Sequence, residues 1–174
     1  MTHHILIREE RPADFPAIYE LVQTAFQTAN VSNGDEQNFV NRLRASDNYL
    51  PELALVAEAE GRLLGHIMLT RTFLTTPKGQ FPLLLLGPVA VVLEHRKQGI
   101  GTALIEAACQ RARAFGHQAV ILVGDPDFYH RFGFQPAAAF GIANANEIPD
   151  PYVLVRELAP GALANLRGTI TFQE

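Results

Sequence analysis

The sequence predicts a mixed α/β domain: a mostly antiparallel, strongly twisted sheet with one parallel strand pair splayed apart and helices on its flanks. Three observations carry this. Leu83 to Leu93 is an apolar run rich in Leu and Val, as a strand covered on both faces requires. A glycine-bearing turn, a helix-period stretch ending at Gly116 and a second β-rich run, Gln118 to Val123, follow it. Strand, helix, strand in that order makes the two strands parallel through a right-handed crossover. Upstream, tight turns at Glu60-Gly61 and Lys78-Gly79 separate β-rich segments, which makes those neighbours antiparallel hairpins.

In chain order, His4 to Arg8 reads as a first strand. Pro12 to Gln27 is a helix whose stripe is Phe15, Ile18, Tyr19, Leu21, Val22, Ala25 and Phe26, with Pro12 and Asp14 suited to a first turn. Asn30 to Asp35 is turn-rich, Glu36 to Ala45 is a second helix, and Leu53 to Ala59 and Arg62 to Thr75 are strands. Gly87-Pro88 interrupts the central run. Proline has no amide to give a ladder and a mid-strand glycine often marks a bulge, so pairing breaks there. The long helix starts near Gly101, with Ala103, Leu104, Ala107, Ala108, Ala112 and Phe115 on its apolar face and Cys109 beside it as a buried thiol. A short helix, Asp127 to Phe132, is ended by Gly133. A strand at Tyr152 to Glu157, a helical turn at Gly161 to Asn165 and a last strand at Thr169 to Phe172 complete the chain. No repeat or linker divides it: residues 1–174 read as one domain, with 135–174 extending the same sheet.

Composition narrows the function. Apolar residues at 48% and charged residues at 18% describe a folded chain with a real core. A net charge of −4 gives no support to nucleic-acid binding. The longest apolar run is broken and too short to span a bilayer, and the N-terminus has no signal-peptide core, so a cytoplasmic protein with no membrane partner is expected. One cysteine forbids an internal disulfide, and six scattered histidines give no metal-ligand spacing, so no metal is expected.

The turn His95 to Thr102 carries chemistry of its own. Gly99 and Gly101 let the backbone approach a ligand closely, and the first amides of the helix lack internal partners at the positive end of its dipole. That is an anion site suited to a phosphate or pyrophosphate, and Arg96 adds a two-donor cation. An ordinary strand-to-helix turn with a solvated basic patch is the plainer alternative. Two nucleotide-binding patterns fail: the third position of G-x-G-x-x-G is Leu104, and Ile100-Gly101-Thr102 lacks the lysine of a phosphate loop.

Arg96-x-x-Gly99-x-Gly101, coming after Gly87-Pro88-Val89-Ala90-Val91, resembles motif A of the GNAT superfamily of N-acetyltransferases. Phe128-Tyr129-His130-Arg131-Phe132-Gly133-Phe134 resembles that superfamily's late aromatic motif. The tail, with Gly124-Asp125-Pro126 and Pro160-Gly161-Ala162-Leu163, is similar to the YhbS-type predicted acetyltransferases. The resemblance implies the acyl-CoA N-acyltransferase fold and transfer of acetyl from acetyl-CoA to a primary amine by direct attack. It places the cosubstrate on Val89, Ala90, Val91, Arg96, Lys97, Gln98, Gly99, Ile100, Gly101 and Thr102. A strand-like pantetheine arm would pair with the freed edge, and an N–H near Val89 would polarise the thioester carbonyl.

Tyr129 stands where the family has a tyrosine that protonates the leaving thiolate. The general base is less marked. The central strand, where many relatives carry a carboxylate, has no acid, so Glu36 and His66 are the side chains to test, with a water chain as the alternative. Two further departures are Leu93, where relatives often have proline, and Gly124-Asp125-Pro126, where many have asparagine. The acceptor is an amine-bearing small molecule, peptide or protein, and a homodimer is left open. The competing reading is a non-catalytic acyl-CoA-binding sensor.

Overall fold

The computed structural model describes residues 4–28 and 32–172. The N-terminal His3 and part of the Asn30–Asp35 turn lie outside the described residues. The chain forms two compact units, one from Met1–Thr70 and Gly87–Arg111, the other from Arg71–Leu86 and Ala112–Glu174.

The first unit is an antiparallel ladder under helices. β1 (Leu6–Glu9) pairs with β2 (Ala54–Ala59), and β2 with β3 (Arg62–Thr76). β5 (Ala90–Val91) pairs with the other edge of β3, at His66↔Ala90 and Gly65↔Val91. α1 (Phe15–Ala25) starts three residues later than its sequence pattern suggests, because Pro12–Asp14 forms a separate 3-10 turn. α2 is Glu36–Ala45, with the predicted bounds. Ile18, Leu21, Val22 and Ala25 of α1 and Val40 of α2 pack on Ala54, Val56, Met68 and Ala90 of the sheet. These are the spacings of one helical face meeting alternate strand residues.

α3 (Ile100–Ala114) buries Ile100, Leu104, Ile105, Ala108, Cys109 and Ala112. Phe115, expected on that face, follows the last helical residue and is 60% exposed. Gly65 explains how closely α3 approaches the first unit's sheet. A Cβ there would lie 2.8 Å from Leu104 Cδ1 and 3.0 Å from the Ala90 carbonyl oxygen.

In the second unit, β4 (Gly79–Leu86) runs parallel to β6 (Ala119–Val123), in register at Leu84↔Val120 and Leu85↔Ile121. β6 pairs antiparallel with β9 (Val153–Glu157), and β9 with the two-residue β7 (Gln135–Pro136). β10 (Gly168–Ile170) pairs antiparallel with β3 at Leu74 and Thr75, and parallel with β8 (Ile142–Asn144). The expected parallel pair is therefore present in a mostly antiparallel sheet, and β8–β10 adds a second short one. Leu83, Ala119, Ile121, Val153, Val155, Leu163 and Ile170 lie in this unit's core.

Candidate active site

The central run is cut in two. Gly87 N–H donates to the Met68 carbonyl (2.7 Å), whereas Ala90 stands opposite His66. Three residues of one strand thus advance against two of the other, which is a one-residue bulge at Pro88-Val89. Pro88 has no N–H, and among the described residues the Val89 N–H has no backbone partner. β4 has by then ended, its ladder with β6 reaching only to Leu85↔Ile121.

The turn beyond β5 is made by two left-handed residues, Lys97 (φ 64°) and Gly99 (φ 84°). Ala103 N–H donates to the Gly99 carbonyl (3.0 Å), so Gly99 caps α3 and the amides of Ile100, Gly101 and Thr102 are its unsatisfied first-turn donors. A Cβ on Gly99 would meet nothing within 4 Å. The turn opens onto free space, and backbone conformation rather than crowding calls for glycine. Gln98 Oε1 lies 3.2 Å from His95 Nδ1.

Arg96 is bonded within the fold. Its guanidinium donates to the Ala25 carbonyl at the end of α1 (2.5 Å) and to Thr28 Oγ1 (3.2 Å). A cation at helix carbonyls is electrostatically favoured, so Arg96 ties the turn to α1.

His66 and Glu36 lie in different settings. His66, on β3, is fully buried, and its Nε2 is 2.8 Å from Glu10 Oε1. The Glu10 side chain is likewise 0% exposed and accepts from Arg44 Nε (2.8 Å) and the Tyr49 hydroxyl (2.7 Å) at Oε2, and from Arg44 Nη2 (3.0 Å) at Oε1. Arg44 lies over the Phe15 ring, 3.9 Å from its centroid. Burial pushes the Glu10 carboxyl upward, but hydrogen bonds from Arg44, His66 and Tyr49 prevail and hold it near 2. Burial first, and then the adjoining carboxylate, raise the Tyr49 phenol. Among the described residues, the sealed side-chain polar atoms without a partner are His66 Nδ1 and Thr70 Oγ1. Glu36 instead accepts from Ser32 Oγ (2.6 Å) and Asn33 N–H (3.2 Å), bracing the loop before its own helix.

Tyr129 ends α4 (Pro126–Tyr129), which Asp125 caps by accepting from Asp127 N–H (2.9 Å). Its ring packs edge-on against Phe128 (4.9 Å) and Phe134 (5.7 Å). Burial, and secondarily the charge of Asp125, raise its pKa above the usual tyrosine range, so the hydroxyl keeps its proton. That hydroxyl has no hydrogen-bond partner among the described residues, yet it is not one of the sealed atoms. Gly124 accounts for one departure from the family pattern. A Cβ there would lie 2.6 Å from Tyr129 Cε2, so only glycine admits the ring. A cavity of about 570 Å³ elsewhere in this unit is lined by Asp127, His130 and Arg131, not by Tyr129.

Sequence reasoning missed Glu10, Arg44 and Tyr49. Their partners lie 34 to 56 residues away, so no local spacing reveals them. The available signal was His66 itself, a polar residue inside a strand otherwise buried from Leu64 to Leu69.

The mixed sheet with its bulged central strand is that of an acyl-CoA N-acyltransferase. Residues 6–137 match the family described as Acetyltransferase (GNAT) domain, and the chain belongs to the GNAT family of N-acetyltransferases. It is 32% identical over 158 residues to the uncharacterised N-acetyltransferase YjhQ of Escherichia coli K12, covering 89% of this chain and 80% of YjhQ. The crystal structure of the GNAT N-acetyltransferase YhbS from Escherichia coli, in complex with CoA, is similar with a TM-score of 0.87 at 27% identity, over 100% of this chain and 92% of that one. A GNAT acetyltransferase from Brucella melitensis, in complex with acetyl-CoA, is similar with a TM-score of 0.78 at 29% identity, over 99% and 97%. Among the described residues no helix is long and apolar enough to cross a membrane, and no group of three or more His, Cys, Asp or Glu is placed to hold a metal.

Proposed function

We propose that this chain transfers the acetyl group of acetyl-CoA to a primary amine by direct attack, as one cytoplasmic domain spanning residues 1–174. The observation that carries the reading is the bulge at Pro88-Val89, which leaves the Val89 N–H unspent two residues before the β5 strand ends. An unspent, fixed N–H is the donor that a thioester carbonyl needs as its oxygen gains charge. Val89, Ala90 and Val91 present an edge to the amides of the pantetheine arm. The first-turn amides of α3 take the pyrophosphate, with Lys97, Gln98 and Gly99 shaping the turn and Arg96 holding it against α1. The CoA and acetyl-CoA complexes of YhbS and of the Brucella protein support the cosubstrate.

Two protons must move. The acceptor ammonium loses the first to a base, and the free amine attacks the thioester carbon. Carbon–nitrogen bond formation and carbon–sulfur cleavage release a thiolate, and the second nitrogen proton compensates the one that sulfur takes up. Tyr129 gives the thiolate its proton, since its hydroxyl is protonated and unbonded. His66 is the base, and Glu36 braces the loop before α2.

Titration calorimetry with CoA and CoA release from acetyl-CoA across ethanolamine, spermidine, glycine and a lysine-bearing peptide test this. Tight CoA binding with no acceptor-dependent release from that panel, widened to further amines, would favour the sensor instead.

A further inference from the structure

We propose that Glu10 is the positioning residue for catalysis, holding His66 as the Nε2–H tautomer so that Nδ1 is the atom that accepts the acceptor's proton. This rests on the reading of His66 as the base. Four donors converge on one fully buried carboxylate: two from Arg44, one from Tyr49 and one from His66. A carboxylate so surrounded is ionised and has no hydrogen to give. The proton in the 2.8 Å contact with Glu10 Oε1 therefore belongs to Nε2 of His66.

In the neutral ring Nδ1 then carries the lone pair. It is sealed from solvent and has no partner, although every other donor and acceptor of this cluster is paired. Buried polar atoms are as a rule paired, so the orphan calls for an explanation. An imidazolium formed on Nδ1 during turnover is stabilised through Nε2 by Glu10.

Location supports the assignment. His66 stands opposite Ala90 in the β3–β5 register, one residue from the unspent Val89 N–H. The titratable groups of this cluster are Glu10, just after β1, which contacts His66, and Arg44 of α2 and Tyr49 of the loop after it, which contact Glu10. β2 and β5 oppose it with Val56 and Ala90, which do not titrate. Because Nδ1 is sealed at rest, the proposal requires that acceptor binding open a path to it for a bridging water.

Long-range proton–nitrogen NMR of uniformly ¹⁵N-labelled protein reads the tautomer directly. A neutral His66 protonated at Nε2 is expected; protonation at Nδ1 overturns the proposal, even if no variant folds. In parallel, kcat and kcat/KM are measured against pH with acetyl-CoA and the best amine of the panel. Glu10→Gln should lower kcat roughly 10–100-fold and displace the limb on which activity rises with pH, with unchanged CoA affinity. Such a limb shift is not a consequence of lost packing alone. If His66→Ala retains wild-type kcat, the base reading fails and this proposal with it. If His66→Ala loses turnover while Glu10→Gln keeps the wild-type rate, limb and tautomer, His66 stands as the base and Glu10 does not position it.

Discussion

Gly124→Ala offers the sharpest test of Tyr129, because it perturbs the tyrosine without touching it chemically. The added Cβ would lie 2.6 Å from Tyr129 Cε2 and 3.1 Å from both Tyr129 Cδ2 and Leu122 Cδ1. Carbon atoms in contact prefer roughly 3.5–4.0 Å, so the ring must withdraw by about 1 Å. Retreat disturbs the edge contacts with Phe128 at 4.9 Å and Phe134 at 5.7 Å. Overpacking of this kind costs about 1–3 kcal/mol, which for a chain of this size lowers Tm by about 2–12 °C. If the hydroxyl protonates the leaving thiolate, a displacement of that size should lower kcat about 100-fold. CoA affinity, measured by calorimetry, should hold.

Stopped-time assays of CoA release on Gly124→Ala, Tyr129→Phe and the double variant separate placement from packing. Once the hydroxyl is gone, misplacing the ring should cost kcat little more, so the two effects should fall well short of additive. A Gly124→Ala enzyme whose Tm drops while kcat stays within threefold of wild type would refute the reasoning, as would full additivity.

Tyr129→Phe alone keeps the packed ring and should lower kcat roughly 10²–10⁴-fold, with acetyl-CoA binding little changed by calorimetry. Gly65→Ala would bring a Cβ within 2.8 Å of Leu104 and 3.0 Å of the Ala90 carbonyl, so it should lower both Tm and CoA affinity by forcing apart β3, β5 and α3. Gly99→Val forces a branched residue to φ 84° in a turn otherwise open to solvent, and CoA affinity should fall at least tenfold while the α3 core stays packed. Glu10, held near 2 against an ordinary 4.5, contributes stability present above about pH 4.5 and lost as pH falls toward 2. That is on the order of 3 kcal/mol, and urea denaturation across this range should show a flatter acid limb in Glu10→Gln than in wild type.

What was legible in the sequence was governed by the backbone. Gly87-Pro88 announced the bulge because a residue without an N–H next to one without a side chain cannot sustain a ladder, and Gly87 bonds Met68 one residue out of phase with Ala90. The turn before α3 was legible for the same reason, since left-handed positions favour glycine and Gly99 has φ 84°. β7 and β8 were not legible. Runs of two or three residues show no period, and Pro136 ends one of them. The bounds of α1 shifted because Pro12 and Asp14 serve a 3-10 turn as well as they serve a first helical turn.

The side-chain half of the site obeys a different logic. Arg96 read as a phosphate ligand because its neighbours in sequence are a glycine turn, yet its guanidinium reaches back about 70 residues to Ala25 and Thr28. Glu36 read as a base because it is an acid on a helix, yet Ser32 and Asn33 occupy it. Both side chains are thus bonded within the fold. Among the described residues, polar groups without partners include the Val89 N–H, the first amides of α3, the Tyr129 hydroxyl and His66 Nδ1. Under the proposed function the Val89 N–H would polarise the carbonyl, the first amides of α3 would hold the anion, the Tyr129 hydroxyl would be the acid and His66 Nδ1 the base. Thr70 Oγ1 is also sealed and unpaired, four residues along β3 from His66. Strand residues four apart share a face but stand about 13 Å apart, too far for Thr70 to serve His66 directly.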